Sequence, residues 1–485
     1  MKKYKILLII SIITILLSLS AVSAVDLNDE PVNIENDNTH RILSENSLLN
    51  DDSIDESIGD SNLNSNELNA NNLLSNDNEI YVDINNGDDS NDGKSLDNPV
   101  KSFEKAMNLS GDNYTIHLSD GDYTGLENTG IRINKSLNIV GNENTTFNGL
   151  NENHIFIIED GLTDSFKNIS FINGCKNPAQ SDSKNVYGGA LEIKNSYVNI
   201  DNCKFVNNLL DFDSEEKYKY GGAISNIGDL TISNSYFYNN SIISYGNKIS
   251  FGGAIYNKGN LTVKNSSFIE SKGEKYTYGA WIYNDGTAYM EDSIIANSYS
   301  KEESRGSAIY NKGNFTLKDS IIENNTVERY NFNYIYGNIF NSGKLVAVGN
   351  IFRNNRGYYK PPNTQYEGSP NIYNLGDLEL SYNVFTNNAP FNLISPDLYI
   401  SGGKDINIDN NFWDTNNNPF KENKINLDMA NSWIVLDLNP EYSNIDINEE
   451  LEIIASLKSS NDDVVELNLL PALNISLFID NELVS

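Results

Sequence analysis

The sequence predicts an all-β solenoid, in which each repeat forms one coil and equivalent strands of neighbouring coils pair in parallel. Residues 221–240 read GGAISNIGDLTISNSYFYNN, and residues 252–271 read GGAIYNKGNLTVKNSSFIES. The same pattern recurs more loosely along much of the chain, and repeats of this length are typical of solenoids. The alternating apolar runs inside each copy span only three to five residues, which is short for a sandwich built from hairpins. One coil per repeat therefore accounts best for the pattern.

Equivalent positions of the repeat are predicted to lie above one another at the strand spacing of about 4.8 Å. Aliphatic and aromatic positions then form rows inside the coils. Asn occupies the bends, where it tolerates left-handed backbone and its amide can bond to the amide above it. The turn glycines are Gly228, Gly259, Gly286, Gly313, Gly343 and Gly376. The closing apolar residues, predicted to share one interior row, are Phe171, Phe205, Phe237, Phe268, Ile295, Ile322, Phe352 and Phe385.

The first residues have the pattern of an export signal. Lys2, Lys3 and Lys5 precede an apolar run at 6–17, and small residues follow at 22–24, as at a cleavage site. The alternative is an uncleaved membrane anchor, because the apolar run is close to the shortest that spans a bilayer. We interpret residues 1–24 as a cleaved signal peptide and expect no membrane-spanning segment after cleavage.

Residues 25–78 contain no aromatic residue and are rich in Asn, Asp, Ser, Glu and Leu. Such a composition buries too little apolar area to offset the entropy lost on ordering. We therefore predict a disordered acidic linker over this range.

The β-helix is predicted to span residues 79–436 and to begin with a capping helix. Pro99 suits the first helical position, and Val100, Phe103, Ala106 and Met107 would then share one face. An amphipathic helix here would cover the open end of the stacked sheets, which otherwise invites aggregation.

An acidic loop just before this helix, at 88–93, reads Asp-Asp-Ser-Asn-Asp-Gly and has the alternating oxygen ligands of a calcium loop. Its twelfth position is Pro99, which cannot supply the bidentate carboxylate of such a loop. We interpret the loop as a polar turn.

Length variation between repeats falls after the closing Asn and before the next Gly, at 209–220, 241–251, 327–336 and 356–369. These inserts all leave from the same corner, so one edge should carry a row of variable loops, a natural binding rim. Because Tyr offers amphipathic contact area, the insert residues Tyr218, Tyr220, Tyr358, Tyr359 and Tyr366 are binding candidates. The tyrosines of the repeat itself, interpreted as a stacked row that stabilises the coils, are Tyr256, Tyr283, Tyr310 and Tyr373.

After Pro440 the pattern changes, and Leu451–Leu457 and Ile475–Ile479 alternate like the strands of a sandwich. Residues 437–485 are fewer than half of an immunoglobulin-like domain. We predict an incomplete immunoglobulin-like β segment, with a small terminal cap as the alternative.

The charge of the chain limits its partners. The net charge is −33 with only 34 Lys and Arg, which disfavours nucleic acid as a partner because phosphate binding needs clustered cations. Two cysteines are too few for a disulfide scaffold. Aligning Phe171 with Phe205 places Cys203 over Ile169 and not over Cys175, so free thiols are favoured over an off-register bridge. Asn-x-Ser/Thr sequons, which in an exported chain are candidate glycosylation sites, occur at Asn108, Asn113, Asn134, Asn144, Asn168, Asn239, Asn260, Asn265, Asn314, Asn324 and Asn474.

The repeats resemble those of right-handed parallel β-helix proteins of the pectate-lyase-like superfamily. The pairing of Gly-Gly-Ala-Ile with Phe-x-x-Asn is similar to the polymorphic outer membrane protein repeat. The opening between Tyr81 and Pro99, the ending Asn411–Trp413 and the junction Trp433–Leu436 resemble adhesin-like surface proteins of methanogenic archaea. The resemblance covers about 79–436. It implies right-handed coils, a secreted or cell-surface location, and contacts with glycans or proteins of other cells.

Many proteins of this superfamily are polysaccharide lyases or hydrolases, so an enzyme is the main alternative. Such enzymes need grouped carboxylates or a carboxylate set with a basic residue, and no paired-Asp motif is recognisable here. The residues considered were the histidines His40, His117 and His154, and the arginines near the inserts, Arg305, Arg329, Arg353 and Arg356. Asp229, Asp285 and Asp377 adjoin turn glycines and are interpreted as bend residues. We therefore predict no catalytic, cofactor-binding or metal-binding residue, and that the chain is not an enzyme.

The sequence as a whole predicts an exported, monomeric, adhesin-like surface protein, a rigid non-catalytic β-helix scaffold that displays loops for contact with cells or glycans. The alternative is a carbohydrate-active enzyme or a glycan-binding module on the same fold. A degraded relative without function is a third possibility. An enzyme predicts that at least two carboxylates, or an Arg and a carboxylate, converge on one face, whereas a scaffold predicts dispersed charges.

Overall fold

A computed structural model describes residues 78–176, 185–211, 218–244, 248–273, 276–301, 304–329, 337–359, 366–367, 370–388, 396–440, 453–471, 477–479 and 482–484. The predicted signal peptide (1–24) and all of the predicted linker except Asn78 lie outside these residues. The main part of the described chain is all-β, and its three long sheets pair in parallel. It is a parallel β-helix, consistent with the right-handed form that the resemblance implies.

Each coil passes through sheet A, then sheet B, then sheet C. Within the described residues sheet A has 12 strands, and sheets B and C have 10 each. The strands of sheet A are Glu79–Val82, Tyr114–Leu118, Leu137–Val140, Thr163–Lys167, Tyr197–Asp201, Asp229–Ser233, Asn260–Lys264, Thr287–Glu291, Asn314–Lys318, Lys344–Val348, Asp377–Ser381 and Ile406–Asn407. Those of sheet B are Gly121–Tyr123, Thr145–Asn148, Ser170–Ile172, Lys204–Val206, Tyr236–Tyr238, Ser267–Ile269, Ile294–Ala296, Ile321–Glu323, Ile351–Arg353 and Val384–Thr386. Those of sheet C are Ile131–Ile133, Phe156–Ile158, Leu191–Ile193, Ile224–Asn226, Ile255–Asn257, Ile282–Asn284, Ile309–Asn311, Ile339–Asn341, Ile372–Asn374 and Leu398–Ile400.

The predicted interior row of closing residues is confirmed. Phe205 pairs with Phe171 on one side and with Phe237 on the other, and the row continues in register to Phe385. The rings of Phe237 and Phe268 stack with centroids 4.5 Å apart. Each coil therefore buries its apolar side chains against the coils above and below it, which stabilises the stack.

The same register confirms that Cys203 lies over Ile169, because Lys204 pairs with Ser170. Cys203 is buried, Cys175 is half-buried, and both are free. Burial raises the pKa of the Cys203 thiol to about 12, so it behaves as a small apolar core residue.

One interior row contains a carboxyl group. Asp164 pairs with Val198 in sheet A and is buried. Its Oδ1 accepts the Leu137 N–H at 2.8 Å, whereas Oδ2 has no hydrogen-bond partner in the described part of the chain. Burial raises the pKa of Asp164 to about 7.

The capping helix is present, but its predicted start is wrong. The α-helix runs over Phe103–Leu109, and Ser102 caps it by accepting the Lys105 N–H. Pro99 lies before the helix, because Val100 forms a parallel bridge with Val82 and so extends sheet A. The buried side chains Phe103, Ala106 and Met107 nevertheless cover the end of the core.

The acidic loop before the helix is a hydrogen-bonded turn. Asp89 accepts the backbone N–H groups of Lys101 and Ser102 at 2.8 and 2.9 Å. Asp88 accepts the Ser90 N–H at 2.8 Å. These carboxylates therefore fix the entry to the helix.

The turn between sheets C and A requires glycine. A Cβ on Gly286 would lie 2.1 Å from the carbonyl oxygen of Gly259, and a Cβ on Gly313 would lie 2.0 Å from that of Gly286. The coils approach so closely at this turn that only a hydrogen fits, which explains the recurring turn glycines.

An asparagine ladder precedes these glycines in the same turn. Except at its last residue, each fully buried amide donates Nδ2 to Oδ1 of its equivalent in the next coil, over distances of 2.6 to 2.9 Å. In Asn226, Asn257, Asn284 and Asn341 the same nitrogen also donates to the carbonyl of the turn glycine two residues on. The ladder consists of Asn226, Asn257, Asn284, Asn311, Asn341 and Asn374.

The inserts, predicted to be loops, contain two further sheets. The chain leaves the coil after sheet B along sheet E and returns to sheet C along sheet D. Sheet D contains Asn185–Tyr187, Tyr218–Tyr220, Ser250–Phe251 and Thr277–Tyr278. Sheet E contains Leu209–Leu210, Ser241–Ile242, Lys272–Gly273, Tyr299–Ser300, Thr326–Arg329, Arg356–Tyr359 and Tyr366–Glu367, of which the last pairs antiparallel. The inserts therefore continue the stacking outside the coil.

The chain that follows the last coil forms an antiparallel pair of strands. Ile434–Pro440 pairs with Ile453–Ser459, and a 3₁₀ helix spans Leu467–Leu469. A second unit of the chain, described by itself, contains the antiparallel pair Leu477–Ile479 and Glu482–Val484. The predicted immunoglobulin-like character of 437–485 stays a prediction.

Candidate functional site

A row of aromatic side chains runs along the outer face of sheet C. In each Ile-Tyr-Asn step Ile points into the core, Tyr points outward and Asn joins the ladder. The ring centroids of neighbouring coils lie 4.8 to 5.6 Å apart, with interplanar angles of 8° to 23°. The residues of this C row are Tyr256, Tyr283, Tyr310, Phe340, Tyr373 and Tyr399. The stacking predicted for the repeat tyrosines is thus confirmed.

A second aromatic row, the D row, lies on sheet D. Tyr187, Tyr220 and Phe251 stack with centroids 4.8 and 5.1 Å apart, and Tyr278 follows in register. In the next coil Arg305 occupies the equivalent position, and its guanidinium lies 5.2 Å from the Tyr278 ring centroid.

The two rows meet at the corner where sheet D turns into sheet C, and we call them together the aromatic corner. The D-row rings of Tyr220, Phe251 and Tyr278 each contact the C-row ring of the following coil. Tyr220 meets Tyr256 edge to face at 4.8 Å, and Tyr278 stacks on Tyr310 at 4.9 Å. The turn between the rows depends on glycine, since Gly221 has φ +71°, which L residues rarely adopt.

The aromatic corner differs in accessibility along its length. Where sheet D is present, its half-buried rings cover the C row, so Tyr256 and Tyr283 are buried. Phe340 is also buried, with the Arg305 guanidinium 5.2 Å from its ring centroid, whereas Tyr373 and Tyr399 are half-buried. Burial raises the pKa of Tyr220 to about 12, and it also raises the pKa of Tyr283. The phenols therefore stay protonated at neutral pH and can both donate and accept hydrogen bonds.

Sequence reasoning found part of this surface. Tyr220 lies in the D row, whereas Tyr218 is outside it, with the Lys248 ammonium 4.8 Å from its ring centroid. The side chains of Tyr358, Tyr359 and Tyr366 lie outside the described residues. Sequence reasoning missed Phe251 and Tyr278, although both directly precede the glycine of the Gly-Gly or Gly-Ala step, as Tyr220 does.

The predicted bend residues act as predicted. Asp229 accepts the side chain of Asn260, Asp285 pairs with Lys312 at 2.9 Å, and Asp377 accepts the backbone N–H of Lys404 at 3.0 Å. Each carboxylate thus joins its own turn to that of a neighbouring coil.

Among the basic residues considered, Arg353 pairs with Glu323 on sheet B, and Arg356 is exposed on sheet E. The Arg329 side chain and His40 lie outside the described residues. His117 stacks on Tyr81 at 4.9 Å. Burial lowers the pKa of His154 to about 4, with Lys176 and Arg132 nearby.

A group of charged side chains lies at the C-terminal end of the C row. Asp397 occupies the position that Ala308 holds three coils earlier, directly before the strand of sheet C. Lys424 holds this position in the next coil, as the bridge between Leu398 and Ile425 shows. The Lys424 Nζ lies 3.7 Å from Asp397 Oδ2.

The second carboxyl group of this site comes from sheet B. Asp414 follows the bridge that pairs Phe412 with Val384, so it lies in register with Thr386. The Asn387 N–H donates to its carboxyl group. Burial raises the pKa of Asp414 and, together with the negative charge of Asp414, the pKa of Asp397, whereas Lys424 lowers both.

In the described ranges no group of three or more His, Cys, Asp or Glu side chains could hold a metal ion. Nor is any described helix long and apolar enough to span a bilayer.

No family model matches the chain, and no curated protein matches it either. Among solved structures, the chain is similar to the native GH136 lacto-N-biosidase of Eubacterium ramulus, at 12% identity over 67% of each chain and a TM-score of 0.29. At this level the likeness carries no assignment of activity to the chain. It does correct one prediction, that the chain is not an enzyme: the similar protein is itself an enzyme, so that exclusion is withdrawn.

Proposed function

We propose that the chain is an exported, adhesin-like β-helix that holds glycan chains of a cell surface along its aromatic corner. The observation that carries the proposal is the meeting of two aromatic rows outside the hydrophobic core, along the solenoid axis. The core is already closed by the Phe and Ile rows, so burial of the coil interior does not account for the outer rows. A long ligand with repeating units fits a surface with repeating units.

The chemistry of the corner suits a glycan. The rings stack on one another, so they present edges and phenol groups to a ligand. Protonated phenols can pair with sugar hydroxyls in either direction, and rigid Tyr side chains lose little conformational entropy on binding. The half-buried rings of Tyr373 and Tyr399 and the half-buried D row are the parts that a ligand can reach.

A glycan array followed by affinity electrophoresis tests this proposal on the full chain. We expect the wild type to bind at least one glycan class and the double substitution Tyr220→Ala with Tyr278→Ala to weaken that binding at least tenfold. Tyr197→Ala is the matched control, because Tyr197 is 64% exposed on sheet A, away from the corner. Absence of glycan binding by the wild type, or equal binding by the double variant, would contradict the proposal.

A further inference from the structure

A surface cleft lies where the chain turns from sheet A to sheet B in early coils of the β-helix, and we call it the A–B cleft. Its volume is about 400 Å³, which is within the range of small-molecule sites. Three successive coils line it, with Asn142 and Glu143 in the first, 168–170 in the second, and Asn202 and Lys204 in the third. The aromatic corner lies on sheets C and D, so the A–B cleft is a separate surface.

The cleft exists because one turn between sheets A and B is longer than its neighbours. Four residues, 141–144, connect the two sheets in the first of these coils, whereas two residues do so in the coil before it and in the next two coils. The longer turn protrudes, and Asn142 and Glu143 are exposed on it. The Thr145 N–H donates to the Asn142 carbonyl at 3.2 Å, and the Asn142 N–H donates to Thr145 Oγ1 at 2.8 Å. These bonds fix the protruding turn, so this side of the cleft is preformed.

The amides of the second and third coils hold one another in place. Asn202 Nδ2 donates to Asn168 Oδ1 at 2.9 Å, and Asn168 Nδ2 donates to the Gly141 carbonyl at 3.4 Å. Asn168 and Asn202 have φ values of +59° and +51°, a left-handed backbone that Asn tolerates. The cleft therefore has a fixed polar frame, which lowers the entropic cost of binding a ligand.

Several polar groups in this frame are available to a ligand. Glu143 and Lys204 line the same cleft, yet neither side chain forms an ion pair or a hydrogen bond within the described residues. In the same part of the chain, no hydrogen bond is made by the side-chain oxygens of Asn142, Ser170 and Asn202. The carboxylate can only accept hydrogen bonds, and the ammonium can only donate them. A ligand of the cleft must therefore both donate and accept.

The charges of the cleft favour a neutral ligand. Its lining contains one carboxylate and one ammonium, so an anion attracted by Lys204 would be repelled by Glu143, and the converse holds for a cation. A neutral molecule with several hydroxyl groups can donate to Glu143 and accept from Lys204, and both bonds are charge-assisted. A neutral sugar residue is such a molecule, and its C–H groups can also pack on an aromatic ring.

An exposed aromatic ring borders the cleft beyond its third coil. Tyr236 pairs with Lys204 in sheet B and is 38% exposed. Its ring stacks with that of Tyr238, with 6.1 Å between the centroids and an interplanar angle of 11°. The protruding turn at 141–144 bounds the cleft on the opposite side. A glycan can therefore enter the cleft only by one end, with its remaining residues extending past Tyr236.

We propose that the A–B cleft binds the terminal residue of a neutral glycan. Glu143 accepts a hydrogen bond from one sugar hydroxyl, Lys204 donates to another, and Tyr236 packs against the C–H groups of the sugar. This site does not depend on the proposed function of the aromatic corner. The chain then has two glycan sites on different sheets, one for the length of a glycan and one for its end.

Saturation-transfer NMR and isothermal titration calorimetry on the full chain test the site, with methyl glycosides of glucose, galactose, mannose and N-acetylglucosamine as probes. We expect at least one probe to bind, and Glu143→Ala and Lys204→Ala each to weaken its binding at least about tenfold, the effect of losing one hydrogen bond to a charged group. Lys421→Ala is the matched control, because Lys421 is exposed and does not line the cleft. The protein should be produced without N-glycosylation, since Asn168 begins a sequon and an attached glycan would fill the cleft.

Charged probes test the predicted neutrality of the ligand. Glucuronate and the zwitterion β-alanine should bind more weakly than the neutral glycosides. The proposal would be overturned if no neutral glycoside bound, if the Ala variants at Glu143 and Lys204 bound as tightly as the wild type, or if β-alanine bound best.

The aromatic corner and the A–B cleft can fail separately. Tyr220→Ala with Tyr278→Ala should leave binding of the methyl glycosides unchanged, and Glu143→Ala should leave polymer binding at the corner unchanged. Loss of methyl glycoside binding in the double Tyr variant would place the sugar at the corner and would also overturn the proposed cleft site.

Discussion

Two pairs of asparagines in the same coils show opposite hydrogen-bonding states. Asn341 and Asn374 belong to the ladder, and the Asn341 Nδ2 donates to Asn374 Oδ1 at 2.6 Å. Asn338 and Asn371 lie three residues earlier in the same two coils and are equally buried. Yet Asn338 Nδ2 and Asn371 Oδ1 have no partner among the described residues. Residue type and burial are the same, so neither explains the difference.

What differs is the row to which each pair belongs. The ladder has Asn in every coil from Asn226 to Asn374, so every amide between these two ends meets an identical amide on both sides. Asn374, at one end, donates to the carbonyl oxygens of Gly376 and Gly402 instead. The other row has Ala in most of the earlier coils and Trp281 in one of them, and it changes over the last coils to Asn338, Asn371, Asp397 and Lys424. A row that repeats one residue satisfies its own polar groups. A row that abandons the repeat and leaves polar atoms unpaired is where a function other than folding is expected.

The largest effect should follow from breaking the ladder. Asn284→Leu removes bonds to Asn257, to Asn311 and to two backbone carbonyls, all of them in a buried turn. Each buried partner left unpaired costs about 1–3 kcal/mol, so we expect a loss of about 4 kcal/mol in the free energy of unfolding, measured by urea denaturation of the full chain.

An exposed asparagine in the next sheet is the control for this substitution. Asn260 donates its side-chain amide to Asp229 at the surface of sheet A, where water can replace the bond. Asn260→Leu should change the free energy of unfolding by less than about 0.5 kcal/mol. Equal losses in the two variants would show that the ladder has no special share in stability.

The next-largest effect on stability should come from Asp164, which interrupts an apolar interior row of sheet A, and this effect depends on pH. Asp164 is the carboxyl group in the sheet A row, with a pKa of about 7 in the folded chain against 3.8 for an ordinary Asp. Below about pH 4 both folded and unfolded chains hold the proton. Between pH 4 and 7 only the folded chain holds it, so stability falls as the pH rises. Each pKa unit corresponds to about 1.4 kcal/mol, which makes ionised Asp164 cost about 4 kcal/mol above pH 7.

Asp164→Asn should therefore stabilise the chain by about 3 kcal/mol at pH 8, slightly less than the full cost because the amide is still polar and buried. At pH 4 the substitution should have little effect. Thermal unfolding of both proteins at several pH values measures the difference. A gain that is the same at pH 4 and pH 8 would mean that ionisation of Asp164 is not the cause.

The repeated rows were predictable from sequence, whereas the departures from them were not. The interior Phe row, the bend asparagines and the stacked repeat tyrosines follow from spacing, because one register aligns every coil. The strands of sheets D and E are only two to four residues long and lie in inserts of variable length. They are therefore too short and too irregularly spaced to give a recognisable alternation of apolar and polar residues. The α-helix starts at Phe103 and not at Pro99, because Val100 forms a parallel bridge with Val82 of sheet A.

The ion pair at the end of the C row was missed for a similar reason. Asp397 and Lys424 come from different coils and meet only because equivalent positions of successive coils lie above one another. In the sequence each stands alone, and their shared row is recognisable only once the register of the last coils is known.

A moderate effect should come from the C row, which repeats like the ladder but lies outside the core. The Tyr283 ring stacks between Tyr256 and Tyr310, at 5.6 and 5.1 Å. Tyr283→Ala removes both contacts, so we expect a loss of about 2 kcal/mol, which thermal unfolding of the full chain can measure. Tyr197→Ala, at an exposed position, should cost less than about 0.5 kcal/mol.

The smallest effect on stability should come from the asparagine pair outside the ladder, Asn338 and Asn371, whose amides are only partly hydrogen-bonded. Asn371→Leu removes an amide whose Oδ1 is unpaired but whose Nδ2 donates to Asp397. The gain from removing an unpaired buried oxygen then largely offsets the loss of one bond, so the free energy of unfolding should change by less than about 1 kcal/mol. Urea denaturation of the full chain measures the change. A loss as large as that of Asn284→Leu would show that both asparagine rows stabilise the fold to the same extent.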